Sequence, residues 1–256
     1  MNTLDRFSNR VDNYIKYRPG YPAELFSFLI KEKILKSDSV IADIGSGTGI
    51  SAKPFLDNGN VVFAVEPNKE MREAAERIIG SSRNFKSIDG KAESTGLKAG
   101  SIDILIAAQS FHWFDRELFR KEAMRVLKPE GFIVIVWNDR LIDETEFLME
   151  YENLLHNFSI DYEIVNHKNL AAKDIRNYFL GFVDNKSFKE ASFKNYQEFD
   201  FQGLQGRLLS SSYVPTAEHE NFEPMNMELQ RIYSVHNKEG FVRFEYDTIV
   251  YSGKIK

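Results

Sequence analysis

A doubly wound α/β sheet, mostly parallel and seven strands wide, is the fold class this sequence predicts. Three observations lead there: near-continuous apolar runs in the first half, amphipathic stretches between them, and two alternating polar–apolar segments late in the chain. The runs "SVIADI" (39–44), "VVFAV" (61–65), "IDILIAA" (102–108) and "FIVIVW" (132–137) read as parallel strands covered on both faces, and "FKSI" (85–88) adds a weaker one. Met71, Ala74, Ala75, Ile78 and Ile79 recur at helical spacing behind an Asn68 N-cap. In "RELFRKEAMRVL" (116–127), Leu118, Phe119, Ala123 and Val126 form the apolar face, and "KPEGF" ends that helix. Beyond residue 139 the periodicity weakens. Helices are expected in "ETEFLMEYENLLHNF", in "AKDIRNYFL", and at about 201–210 and 223–235; 187–199 and 240–253 read as late strands added antiparallel.

Bulk properties restrict the function classes. The chain has 256 residues, 43% of them hydrophobic, enough for one substantial core. Its 33 Lys+Arg and 38 Asp+Glu give a net charge of -5, which argues against a nucleic-acid partner. No apolar run approaches the roughly 20 residues of a membrane span, and the first residues lack a secretory signal, so a cytoplasmic protein is expected. With no cysteine and no H-E-x-x-H pattern, no metal site is expected, and neither is a disulfide or a thiol nucleophile.

The stretch "DIGSGTGIS" (43–51) carries the chemistry. A strand that ends in glycines and opens a helix brings backbone N–H groups close to a ligand. Gly45 and Gly47 fit the start of a dinucleotide fingerprint, but Ile50 stands where its third glycine belongs, and no G-K-[ST] follows to make a Walker loop. Asp43 beside the loop disfavours a pyrophosphate and favours an ammonium or sulfonium group. Glu66, closing the second strand, is placed to accept both hydroxyls of a ribose; alone, it serves NAD equally well, or is a solvated strand-end charge.

Taken in order, "VIADIGSGTG", "VEPNKEMREAA", "GKAESTGL", "SIDILIAAQSFHWFD" and "EAMRVLKPEGFIVIVW" resemble the motifs of class I S-adenosylmethionine-dependent methyltransferases. The N-terminal "NYIKYRPGYPAELFSFL" and the pairing of Gln109 with "HWF" resemble the trans-aconitate methyltransferase-like small-molecule branch. The likeness covers residues 13–138, about half the chain. It implies a Rossmann-like fold and S-adenosyl-L-methionine as cofactor. Asp43, Gly45 and Gly47 would surround the methionine part, Glu66 the ribose, and Pro67 and Met71 the adenine. Ala92 would offer its N–H to the base with Glu93 beside it, and Ala108 and Gln109 would lie against the cofactor. Lys91 departs from the pattern, since relatives often carry an aspartate there, and this puts a carboxylate contact to the adenine amino group in doubt.

The resulting organisation is a single domain over 1–256: lid helices at 1–38, a cofactor core at 39–138, helical acceptor-side insertions at 139–185 and 201–236, and strands at 187–199 and 240–253. Tyr14, Tyr17, Arg18 and Tyr21, stiffened by Pro19 and Pro22, suit a lid over the cofactor, with Arg18 set to hold a carboxylate. An amphipathic helix with a solvated Arg18 is the alternative. His112 is the histidine placed to act as a base or to orient an acceptor, unless it caps the following helix. Tyr21, Trp113 and Tyr213, the last within "SSSYVP" (210–215), are candidates to touch a small-molecule methyl acceptor, though Trp113 also suits a core position. No N-P-P-Y loop of the kind used on nucleobases follows the fourth strand. A monomer or homodimer is expected. The rival readings are a cofactor-binding module without catalysis and an NAD-dependent oxidoreductase.

Overall fold

The computed structural model describes residues 10–165 and 172–256. Five strands, β1 (Val40–Ile44), β2 (Val61–Val65), β3 (Phe85–Ile88), β4 (Ile102–Ala108) and β5 (Leu127–Arg140), pair in parallel. β6 (Lys189–Phe199) and β7 (Val242–Lys254) complete the sheet, with β7 antiparallel to both β5 and β6. The order β3-β2-β1-β4-β5-β7-β6 is the doubly wound, mostly parallel arrangement that the sequence predicts.

Successive apolar residues on a strand point to opposite faces, so each apolar run supplies two cores. Ala42, Leu105 and Ile133 join one cluster, and Ile41, Ile104 and Val134 the other. The first face is covered by α5 (Arg116–Val126) and α8 (Ala172–Phe182), through Phe119, Ala123 and Phe179. The second takes α2 (Ala23–Lys31), α3 (Ala52–Asp57) and α4 (Lys69–Ile79), through Leu25, Phe55 and Ala75. A third cluster lies at one end of the late strands. There α6 (Glu146–Phe158), α9 (Phe201–Leu209) and α10 (Phe222–His236) pack on Phe199, Val242, Phe244 and Tyr246. The short α1 (Val11–Tyr17) leans on α9, and α7 (Tyr162–Val165) follows α6.

Three expectations need correction. Leu118 is exposed rather than part of the α5 core face; Glu122 is buried in its place. That carboxylate accepts from the backbone N–H and hydroxyl of Thr95 and from Arg125, which holds it at about 2, below the usual range. Ile78 is likewise exposed. The strand predicted at 132–137 is longer, because β7 pairs with it as far as Arg140↔Tyr246. The extension carries Asn138 and Arg140 to the sheet's carboxyl end. No helix among the described residues is long and apolar enough to cross a membrane.

Candidate active site

The glycine loop follows β1, and its backbone explains its composition. Gly45 (φ +67°) lies so close to Ser110 that an added Cβ would meet that side chain at 2.6 Å, and Gly49 (φ +86°) meets Ile79 of α4 at 2.5 Å. Both positions combine a left-handed backbone, strained for any other residue, with close approach, which favours glycine. The Gly47 N–H donates to Glu66 Oε2 at 2.9 Å, while the Asn68 N–H donates to Oε1 at 2.8 Å. Burial raises the Glu66 pKa, and these two amides pull it back. Each carboxylate oxygen keeps a second acceptor site, enough for two neighbouring hydroxyls. Asn68 also caps α4 by accepting from the Met71 N–H.

Asp43 is fully buried beneath the loop. Its Oδ2 accepts from the Ser51 hydroxyl at 2.6 Å, while Oδ1 has no hydrogen-bond partner. Burial, opposed by Ser51 and reinforced by the charge of Glu66, raises the pKa to about 7. A buried carboxylate with a bare oxygen calls for a cation, and the ammonium or sulfonium of S-adenosylmethionine has the right sign.

Two cavities open at the carboxyl end of the sheet and share Tyr14, Gly45, Ala108, Gln109 and Trp113. The larger, about 350 Å³, is bordered by Gly47, Glu66, Pro67, Met71, Lys91, Ala92, Glu93 and Phe114. Glu93 accepts from the Asp115 N–H at 2.8 Å, tying this rim to the start of α5. Gln109 adopts φ +60°, a strained value for a side-chain-bearing residue. It donates to the Asn138 carbonyl at 3.2 Å and keeps a buried Oε1 without a partner.

The smaller cavity, about 120 Å³, is bordered by Arg18, Tyr21, His112 and Tyr213, all predicted, and by Asn138, Arg140, Tyr162, Arg207 and Tyr246, all missed. Arg140 pairs with Glu152 and stacks on the Tyr151 ring, 5.1 Å from its centroid. Tyr162 donates to the other oxygen of Glu152 at 2.8 Å. Burial pushes the Tyr21 and Tyr162 hydroxyls to high pKa, so both stay protonated donors. Tyr17 needs correction: it borders neither cavity, but packs edge-on to Phe199 and against Gly206 of α9. A short amphipathic helix has two usable faces, and only Tyr14 turns to the crevice. The missed residues come from β5, α7, α9 and β7, and no local spacing connects them.

A family model described as a methyltransferase domain matches residues 42–135. An uncharacterized methyltransferase of Schizosaccharomyces pombe is 27% identical over 230 residues, covering 88% of this chain and 86% of the relative. An uncharacterized methyltransferase of Mycobacterium tuberculosis is 31% identical over 134 residues, 52% of each chain. A methyltransferase-like protein of the same yeast is 32% identical over 141 residues, 53% of its length, so the chain spans about half of these two relatives. A solved structure from Anaeromyxobacter dehalogenans, described as a proposed type II methyltransferase, shares the fold at TM-score 0.67 and 22% identity, covering 93% of this chain and 98% of that one. The loop geometry, the bare Asp43 oxygen and the Glu66 acceptor pair accord with these likenesses: residues 42–135 match a methyltransferase domain, set in a Rossmann-like α/β fold.

Proposed function

We propose that the protein transfers the methyl group of S-adenosyl-L-methionine to a carboxylate of a small molecule. One observation carries the acceptor class. Arg18, Arg140 and Arg207 all border the smaller cavity, no Asp or Glu among the described residues lines it, and Glu152 behind it is already taken by Arg140 and Tyr162. Arg140 has Glu152 as its counter-charge, whereas Arg18 and Arg207 form no ion pair among the described residues; guanidinium groups so placed attract an anion, and planar carboxylates match their donor geometry. The resemblance to the trans-aconitate methyltransferase-like branch points the same way.

In this reading the larger cavity takes the adenosyl part, with Glu66 on the ribose, Ala92 and Glu93 near the base, and Asp43 facing the positive end. The cofactor supplies a methyl group already activated by its sulfonium charge. The protein's task is then to hold the acceptor oxygen about 3 Å from that methyl, in line with the breaking bond, and to keep water out. Gln109, Trp113 and Tyr14, common to both cavities, mark where donor and acceptor meet. A carboxylate is deprotonated at neutral pH, so no general base is required, and His112 orients the acceptor rather than removing a proton. Tyr21 and Tyr213 donate to it. Production of S-adenosylhomocysteine across a panel of carboxylic acids, amines and phenols tests the assignment. Turnover confined to amines or phenols would refute the carboxylate.

A further inference from the structure

The N-terminal strap is fastened by cations. Arg10 donates to the carbonyls of Leu209, Ser211 and Val214 at 3.0, 2.8 and 2.7 Å, and Arg18, at the end of α1, donates to the Ser210 carbonyl at 2.9 Å. The chain then turns through Pro19 and Gly20, whose carbonyl accepts from Asn138 and Asn195. The strap thus has a fixed pivot at Gly20 and a latch on the loop after α9.

The latch contains a conflict. Arg18 and Arg207 approach one atom, the buried Ser211 Oγ, at 3.4 and 3.3 Å. Both border the smaller cavity; each leaves its Nε buried without a partner, and neither forms an ion pair among the described residues. Arg207 is only 7% exposed. Burial, and next the charge of Arg207, hold the Arg18 pKa below its ordinary value. Two guanidinium groups converging on one neutral hydroxyl repel each other, and their buried, unpartnered Nε donors are costly until an anion takes them.

We infer that Arg18 and Arg207 form a two-arginine clip for a carboxylate, and that filling it fastens the strap over the bound cofactor. The clip rests on the cofactor site proposed above. Either of two carboxylates could fill it, that of the methyl acceptor or that of the cofactor's amino-acid tail. In both cases the anion replaces repulsion between strap and cap by attraction, so Tyr14 and α1 stay closed. If the acceptor fills the clip, acceptor binding slows release of the cofactor, and the two ligands bind with positive coupling.

Stopped-flow tryptophan fluorescence, with Trp113 on both cavities as reporter, would give the release rate of S-adenosylhomocysteine in malonate and in chloride at equal ionic strength. Filling by an acceptor-type anion predicts release slowed about ten-fold by malonate, with the effect lost in Arg18→Gln and Arg207→Gln. Filling by the cofactor's own tail predicts no malonate effect on S-adenosylhomocysteine. In that case malonate still slows release of 5′-methylthioadenosine, which lacks the tail, and the same variants abolish this. A wild-type protein indifferent to malonate with both nucleosides overturns the clip, as does an effect that survives in either variant. Arg18→Lys and Arg207→Lys, checked by thermal melting, guard against loss of fold and should keep part of the effect. Failure of S-adenosylhomocysteine to bind at all would instead strike the proposed function.

Discussion

The two cavities meet at Gln109 but have opposite chemistry and opposite origins. The larger cavity is bordered by the carboxylates of Glu66 and Glu93, with the Gly47 and Asn68 amides on Glu66 and Asp43 buried beneath the glycine loop. The smaller cavity is assembled from guanidinium and phenol groups that reach from Tyr14 to Tyr246 along the chain. One side offers negative charge and the other positive charge, with a shared wall between them. On the proposed function, such a field would orient a cationic donor against an anionic acceptor before any chemistry occurs.

The largest expected effect breaks the negative side. Asp43→Asn should weaken S-adenosylhomocysteine binding about 100-fold by calorimetry, since it removes a buried charge facing a cation. It should also raise the melting temperature of the ligand-free protein, because that charge is uncompensated without the ligand. The same group sets a pH dependence. Its folded pKa of about 7 lies above the unfolded value near 3.8, so its native-state advantage is full below about pH 4 and is lost as pH rises through 7. Cofactor binding needs the ionised form and runs the other way. Affinity should fall about ten-fold from pH 8 to pH 6, and the variant should lack this slope.

Smaller effects sharpen the contrast. Glu66→Gln should cost about 30-fold in affinity for the adenosyl ligand while leaving the acceptor KM within about two-fold. Arg140→Lys keeps the charge but loses the planar fork. It should lower kcat/KM for the acceptor about ten-fold with cofactor affinity unchanged. Lys91→Asp, on the rim of the larger cavity, should tighten cofactor binding about three-fold by adding an acceptor for the adenine amino group. An equal response of both ligands to any of these would erase the division between the sides.

The same division explains what could be read from the sequence. Asp43, Gly45, Gly47 and Glu66 lie in or next to strands whose apolar runs announce them, and a loop's function is written in consecutive residues. Arg140, Arg207, Tyr162 and Tyr246 carry no such signal: their meaning arises only when β5, α7, α9 and β7 are brought together. Tyr17 lies away from both cavities because α1 packs on Gly206 with one face while the other looks into the crevice. Leu118 was misjudged for a related reason, since Thr95 and Arg125 make it favourable to bury Glu122 instead.

The placement of β7 between β5 and β6 has a consequence for synthesis. Until residues 242–254 have left the ribosome, β5 presents a long unpaired edge and Val250 is missing from one core. The nascent chain therefore carries an open, sticky border from the synthesis of β5 until that of β7. Chaperone dependence should concentrate in that interval, and it should end when the last strand slides between its neighbours.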